Sequence, residues 1–323
     1  MSVTFHCKIW LAAIPLAAVV PVVPAQDELS IKVEVDLVSV LCSVRDQRGA
    51  LVNQLKQDDF ILLEEGKPQT IRNFARETDL PLTVGLLVDT SNSQARLVEG
   101  ERRAAAQFFS QVIRPRDAAF LMSFDAQTRL LMDRSSSPQS IKESLEKLEE
   151  NSPHLRRGGG TGRDRGTLLY DAVYRASQEN LRKEPGRKAI VLITDGMDVG
   201  SRLKIDDAID AAQKADTIVY SIYYADPKAH ASVDWNNAPG RAALREMSEQ
   251  TGGRFFRVDK KQPLKKIFDQ IQEEMRSQYS LAFVSSDDRK NGAYRRLEVF
   301  TRQPGLKVQA RKGYYTARAA GIP

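Results

Sequence analysis

The segment from Asp89 to Ser93 reads Asp-Thr-Ser-Asn-Ser and combines one carboxylate with two hydroxyls on alternate residues. It directly follows the apolar run Leu82 to Val88, which predicts a strand, so these side chains lie where a strand turns towards a helix. In open α/β sheets, ligands bind at this carboxyl edge. Hard oxygen donors that face one centre suit magnesium or manganese. Alone, the segment is a weak motif, because one Asp and two Ser recur often by chance.

Two later segments carry similar groups at similar places. Thr167 stands in a loop directly before a predicted helix start, and Asp195 follows the apolar strand Ala189 to Ile193. A purely structural interpretation is that Asp89 and Thr167 cap helices, which their positions also allow. We favour a metal site, because helix capping would not require all three segments together.

In these three segments the sequence resembles the von Willebrand factor type A family. The metal-ion-dependent adhesion site of that family combines Asp-x-Ser-x-Ser, a Thr from a later loop and an Asp that ends a central strand. The resemblance covers residues 80–277. Together with the leader and the β-rich flanks described below, it looks like the exported bacterial proteins of this kind.

The resemblance implies a set of ligands and a way of binding. The implied ligands of one divalent cation are Asp89, Ser91, Ser93 and Thr167, with Asp195 bound directly or through water. Magnesium is the expected ion, with manganese and calcium as alternatives. The coordination shell is then incomplete, and the resemblance implies that an acidic side chain of a protein partner completes it.

The glycine-rich loop 156–166 contains several arginines and a second threonine, Thr161. We choose Thr167 as the ligand because it directly precedes the helix start, and Thr161 is the alternative. The arginines either form a positive rim for an acidic partner or belong to a solvated loop. The loop satisfies neither Gly-x-Gly-x-x-Gly nor the Walker pattern, which disfavours nucleotide binding. Asp198 is either a group that supports the metal ligands or a solvated loop acid, and we favour the solvated loop acid.

Three functions are compatible with these residues. The leading hypothesis is a non-enzymatic, metal-dependent adhesion or assembly module. A magnesium-dependent phosphate-ester hydrolase is the main alternative, but such enzymes usually need a second acid two residues after the first, where this chain has Ser91. Other hydrolases are disfavoured because the chain lacks His-Glu-x-x-His and Gly-x-Ser-x-Gly. The third hypothesis is a structural envelope protein with a vestigial site.

Apolar patterns between residues 80 and 277 predict the strands and helices that position the candidate ligands. Continuous apolar runs suit parallel strands that are covered on both faces. They occupy Leu82 to Val88, Ala118 to Phe124, Ala189 to Ile193 and Thr217 to Tyr223. Segments with helical spacing lie between and after them. Their apolar positions are Ala105/Phe108/Phe109/Val112, Leu169/Ala172/Val173/Ala176, Ile205/Ala208/Ile209/Ala212 and Leu264/Ile267/Phe268/Ile271. This alternation predicts a doubly wound, mostly parallel α/β sheet.

The two flanks of this region have the two-residue period of strands. In the N-terminal flank, 28–79, the alternation begins at Ile31 and shifts phase after Leu37, as at a bulge or a change of sheet. In the C-terminal flank, 278–317, we predict strands at Tyr279 to Val284, Tyr294 to Arg302 and Leu306 to Thr316. Each flank is too small to bury a core alone, so we predict that they pair into one small β-sandwich.

The start of the chain and its composition indicate export. Residues 1–25 have the layout of a signal peptide, with one lysine, an apolar run broken by prolines and a cleavage point after Ala25. We therefore expect a periplasmic or extracellular protein with no membrane span in its mature form. Cys42 would then be the only cysteine and is interpreted as a small buried apolar residue. The formal net charge of +6 is spread along the chain, which argues against nucleic-acid binding.

Overall fold

The computed structural model describes residues 37–76, 80–94, 97–150, 166–225 and 239–317. The strands are β1 (Leu37–Arg45), β2 (Phe60–Glu64), β3 (Lys67–Gln69), β4 (Ile71–Arg76), β5 (Leu82–Asp89), β6 (Ala118–Phe124), β7 (Thr128–Ser135), β8 (Arg187–Thr194), β9 (Thr217–Tyr223), β10 (Phe255–Arg257), β11 (Tyr279–Val284), β12 (Tyr294–Thr301), β13 (Lys307–Ala310) and β14 (Gly313–Tyr315). The helices are α1 (Val98–Val112), α2 (Pro138–Glu150), α3 (Leu169–Arg175), α4 (Ile205–Lys214), α5 (Pro239–Thr251) and α6 (Leu264–Arg276), with a 3-10 turn at Gln57–Asp59 and a π-helical segment at Ala176–Leu181 after α3.

The central sheet has six strands in the order β10-β9-β8-β5-β6-β7. Five of them run parallel, and β7 pairs antiparallel with β6 at the edge. Every residue of β5, β8 and β9 is buried, which is the result expected when helices cover both faces of a sheet. The predicted α/β fold is confirmed, and the four predicted strands form β5, β6, β8 and β9.

Helices cover the two faces of this sheet. One face packs against α1, α2 and α6, and the other against α3, α4 and α5. The stacked rings of Phe108 in α1 and Phe268 in α6, with centroids 4.5 Å apart, join two helices of the first face. The predicted apolar positions lie in these cores, because helical spacing places them on one side of each helix.

The flanks form a β-sandwich of two four-stranded sheets, and each sheet mixes strands from both ends of the chain. Their orders are β13-β1-β11-β4 and β14-β12-β2-β3. Val40 of β1 pairs with Leu281 of β11, and Leu62 of β2 pairs with Val299 of β12. These four residues belong to one buried cluster with aromatic rings such as that of Tyr279. The predicted pairing of the two flanks is therefore confirmed.

The predicted single strand from Leu306 to Thr316 is wrong. The segment forms two strands: β13 pairs with β1, and β14 pairs with β12 in the other sheet. Between them the chain crosses from one sheet to the other. Gly313 permits this crossing, because a Cβ atom there would lie 2.2 Å from the ring of Tyr294. The two-residue period does not reveal such a crossing, because both halves alternate normally.

In the N-terminal flank, β1 begins at Leu37, and the alternation predicted from Ile31 to Asp36 lies outside the described residues. Cys42 is a free thiol and is 1% exposed, in agreement with its interpretation as a small buried residue. Burial raises the pKa of this thiol to about 12, so it stays protonated and unreactive at neutral pH.

The sandwich and the α/β layer are joined by a buried carboxylate. The side chain of Glu274 in α6 is fully buried, and its Oε2 atom lies 2.5 Å from Nη2 of Arg45 in β1. Arg254 Nη1 approaches the same oxygen at 3.3 Å. These ion pairs hold the sandwich against the α/β layer, because separating the two would leave the buried charge of Glu274 without its partners. Among the described residues, no helix is long and apolar enough to cross a membrane.

Candidate metal centre

The first part of the candidate site is the turn that follows β5. Asp89 ends the strand and is completely buried, and its Oδ1 atom accepts a hydrogen bond of 2.9 Å from the backbone N of Ser91. The backbone N of Thr90 donates to the carbonyl of Phe124 at the end of β6, at 2.9 Å. The turn is thus anchored at both sides, which holds the Asp89 carboxylate at the carboxyl edge of the sheet.

The hydroxyls of the same turn connect Asp89 to the neighbouring strand. The Oγ atoms of Ser91 and Ser93 lie 3.2 Å apart, and the Ser93 hydroxyl donates to Oδ2 of Asp195 at 2.7 Å. Asp195 directly follows β8 and is 3% exposed. Four of the five side chains that the sequence predicts as metal ligands therefore lie in one hydrogen-bonded cluster.

Thr194 is a member of this cluster that the sequence analysis missed. Its hydroxyl donates to Oδ2 of Asp89 at 2.5 Å and accepts from the backbone N of Gly196 at 3.0 Å. The sequence feature that could have identified Thr194 is its position, because it is a hydroxyl residue at the end of β8, directly before Asp195. Thr194 fixes the orientation of the Asp89 carboxylate, because it holds the oxygen that Ser91 does not.

The turn after Asp195 requires glycine. Gly196 has a φ of +77°, and a Cβ atom there would lie 2.4 Å from the carbonyl oxygen of Gly240. A Cβ atom on Gly240 would in turn lie 2.5 Å from the carbonyl oxygen of Asp195. The two backbones pass so closely that a side chain on either residue would displace the site.

Thr167 lies at the same carboxyl edge of the sheet, but backbone hydrogen bonds hold it in place. It is 7% exposed, and its backbone pairs with that of Val199 through two hydrogen bonds of 2.9 Å. The backbone N of the next residue, Leu168, donates to the carbonyl of Asp125, which directly follows β6. Within the described ranges, no hydrogen bond joins the Thr167 hydroxyl to the other four side chains. The alternative Thr161 and the arginines of its loop lie outside the described residues.

Burial and like charge perturb the Asp89 carboxyl. Burial, followed by the neighbouring charge of Asp195, raises its pKa to about 7, although the hydrogen bonds from Ser91 and Thr194 oppose the rise. Two carboxylates close together in a buried place repel each other, and a cation between them removes that repulsion. Carboxylate and hydroxyl oxygens are the ligands that hard divalent cations prefer.

Two further polar side chains lie near this cluster without partners. Glu101 of α1 and Gln94 are fully buried, and no side-chain oxygen or nitrogen of either has a hydrogen-bond partner in the described part of the chain. Burial, followed by the charge of Asp89, raises the pKa of Glu101 well above its usual value. The sequence signal was an acid on the apolar stripe of Ala105 and Phe108. Together with the two aspartates, these uncompensated oxygens fit a site that holds a cation.

Asp198 has a structural role that differs from the predicted solvated loop acid. Its Oδ1 atom accepts hydrogen bonds from the backbone N of Leu169 at 3.0 Å and of Tyr170 at 3.3 Å. The Ser201 hydroxyl donates to the same oxygen at 2.6 Å. Asp198 therefore supplies acceptors to the unpaired donors at the start of α3, directly after Thr167.

We expect Asp198→Ala to lower the free energy of unfolding by about 1–2 kcal/mol, the usual cost of losing a side-chain cap. Urea denaturation measures the change. The matched variant Asp198→Asn keeps an acceptor oxygen and is expected to lose less than half as much. Equal losses in the two variants would show that the charge, and not the cap, is responsible.

The fold and the cluster together define a class of protein. A doubly wound sheet, covered on both faces, carries two carboxylates and several hydroxyls at the carboxyl ends of its central strands. The sequence model of the von Willebrand factor type A domain matches residues 84–270, which is more than half of the chain. The chain belongs to the von Willebrand factor type A family.

Solved structures are similar to this chain at low sequence identity. The protein BatB from Bacteroides thetaiotaomicron is 20% identical, with a TM-score of 0.46, over 60% of this chain and 97% of that chain. An aerotolerance-related membrane protein from Bacteroides fragilis has the same identity and TM-score, over 60% and 98%. The vWF domain of the pilus tip protein Mfa5 from Porphyromonas gingivalis is 12% identical, with a TM-score of 0.43, over 60% and 94%. No curated protein sequence matches this chain.

Proposed function

We propose that this protein is an exported adhesion or assembly module that binds a protein partner through a divalent cation. The observation that carries the proposal is the cluster of Asp89, Ser91, Ser93 and Asp195 at the carboxyl edge of the central sheet, in which all but Ser93 are buried. Membership of the von Willebrand factor type A family supports it. In this proposal Thr167 is the fifth ligand, and the ion is magnesium, with manganese and calcium as alternatives.

The charge of the cluster explains why a partner would be required. Asp89 and Asp195 neutralise one divalent ion, whereas Ser91 and Ser93 contribute neutral oxygens. An ion held in this way is not over-neutralised and accepts one more anionic ligand. A carboxylate on the surface of another protein supplies that ligand, and binding then depends on the metal.

An enzymatic role receives less support from the same residues. Hydrolases that use a strand-end aspartate need a second acid two residues later to protonate the leaving group. Here that position is Ser91, and its hydroxyl lies beside the Ser93 hydroxyl. In this proposal, the protein binds a partner and catalyses no reaction. It acts in the periplasm or outside the cell.

Metal titration tests the site. We expect manganese or magnesium to bind the wild-type protein and Asp89→Ala to weaken binding by more than about 100-fold, beyond the loss typical of groups that only support ligands. Calorimetry measures the affinity. The matched control is Asp133→Ala, because the Asp133 side chain is 74% exposed on β7. Unchanged affinity in Asp89→Ala would contradict the assignment.

Capture of partners tests the function. Immobilised protein is incubated with an envelope fraction of the source cell in magnesium and, separately, in chelator. We expect partners that are retained only with magnesium and that Ser91→Ala loses. Identical sets of proteins with and without chelator would contradict metal-mediated capture even if the metal itself binds.

A further inference from the structure

A cavity lies at the edge of the central sheet opposite the candidate metal centre, where the sandwich meets the α/β layer. Its volume is about 140 Å³. The starts of β8 and β9 line it from one side, and Ser39 of β1 and Ser280 of β11 line it from the other. Lys188 lies at the start of β8, and Asp195 directly follows the end of the same strand. At the rise of a strand, the two residues are roughly 20 Å apart. The cavity is therefore separate from the candidate metal centre.

The lining of this cavity carries an excess of positive charge. Lys188, Arg187 and Arg311 are its basic residues, and Asp216 is its acid. Asp216 is already paired, because its Oδ1 atom lies 2.5 Å from Nη1 of Arg311. Arg311 also donates to the carbonyl of Ser39 at 2.5 Å, so its guanidinium is fixed at the wall. Arg187 donates to the carbonyls of Met275 and Leu80. Lys188 is therefore the basic residue that the acid of this lining leaves to a ligand.

Lys188 is the unusual member of this group. The residue is 8% exposed, yet in the described part of the chain its ammonium has neither an ion pair nor a hydrogen bond. Burial lowers the pKa of Lys188, Asp216 opposes the change, and Arg311 adds to it. An ammonium that is partly removed from water without a partner destabilises the folded protein, and an anion in the cavity would remove that cost.

The remaining wall determines what kind of anion fits. The Oγ atoms of Ser39 and Ser280 lie 3.2 Å apart and share one hydrogen bond, so one of the two hydroxyl hydrogens is left to donate. Leu41, Leu80 and Ile218 form an apolar part of the wall. The cavity therefore offers positive charge and a hydroxyl donor to an oxyanion and apolar contact to a short carbon chain.

We propose that this cavity binds a small oxyanion, a carboxylate or a phosphate, with Lys188 as its direct counter-charge and Arg187 and Arg311 beside it. The ligand would sit between the sandwich and the α/β layer and hold them together. This site is independent of the proposed metal-dependent function.

Calorimetry on the full chain tests the proposal, with sodium butyrate and inorganic phosphate as separate probes in chelator. We expect saturable binding of at least one probe, and the probe that binds identifies the class of oxyanion. Lys188→Met keeps the aliphatic stem and removes the charge, so we expect affinity to fall by about 30-fold or more. The matched control is Lys142→Met on the exposed face of α2, which should bind as the wild type does.

Two results would overturn the proposal. One is the absence of saturable binding of both probes to the wild-type protein, and the other is equal affinity in Lys188→Met. A second variant, Lys188→Gln, guards against misfolding of the first, and its thermal melting confirms that the protein tested is folded. Because every measurement is made in chelator, the failure of the metal-site proposal would leave this result unaffected.

Discussion

In the metal-free protein, the free energy of unfolding should fall as the pH rises from about 4 to about 7. The buried Asp89 carboxyl is the reason, because its pKa of about 7 lies above the ordinary aspartate pKa of 3.8. Between these values the folded protein holds a proton that the unfolded chain releases, so each step towards higher pH favours unfolding. The difference corresponds to about 4 kcal/mol. Glu101 acts in the same direction, since its pKa is also raised.

Urea denaturation in chelator at a series of pH values measures this dependence. Asp89→Asn should remove most of it, because the amide has no proton to release in this range. Magnesium or manganese should restore stability at pH 7, since the cation favours the ionised carboxylates. If the metal-free wild type were equally stable at pH 4.5 and 7, Asp89 would not be the buried, protonated group that the structure indicates.

Glu64 should be the most sensitive residue of the β-sandwich. It is 3% exposed and lies 3.3 Å from Nη1 of Arg295, while the hydroxyls of Tyr314 and Ser285 donate to it at 2.6 Å each. Burial, followed by Glu64, raises the pKa of Tyr314 to about 12, so the phenol stays a donor. Glu64→Ala removes the acceptor of three groups at once, and we expect a loss of about 3 kcal/mol or more in unfolding free energy.

A double-mutant cycle separates the buried pair from simple loss of packing. Arg295 retains a second acid, because Asp287 Oδ1 lies 3.3 Å from its Nη2 atom. We expect the double variant Glu64→Leu/Arg295→Met to be more stable than the sum of the two single changes predicts, since neither charge is then left alone. Additive losses, measured by urea denaturation, would show that the two side chains do not act as a pair.

The sequence predicted the central sheet well because each of its predicted strands and helices has an apolar pattern that can be recognised from neighbouring residues alone. Strands covered on both faces are apolar throughout, as in the run Thr217 to Tyr223, and the helices repeat apolar residues every three or four positions. No prediction covered β7, α2 or α5. Part of the reason is that β7 is an edge strand with one buried residue, so its apolar pattern is weak.

The candidate site was predictable for a related reason. Asp89 and Asp195 directly follow apolar strands, and parallel neighbours bring such positions to one edge of the sheet. The sequence therefore indicated which side chains meet. It did not indicate that Thr194 would hold the Asp89 carboxylate or that Glu101 would be buried nearby, because those contacts depend on how α1 and β8 pack.

The chain by itself determined the α/β class, the acid and hydroxyl residues at the strand ends and the need for its two flanks to pair. Each follows from residues that are close in sequence or from the minimum size of a core. Only the tertiary structure decided that the last predicted strand divides between two sheets and that the charge of Asp195 raises the pKa of Asp89. The same holds for the cavity around Lys188. These features arise where distant segments come together, and their energies depend on burial and distance, which no local pattern encodes.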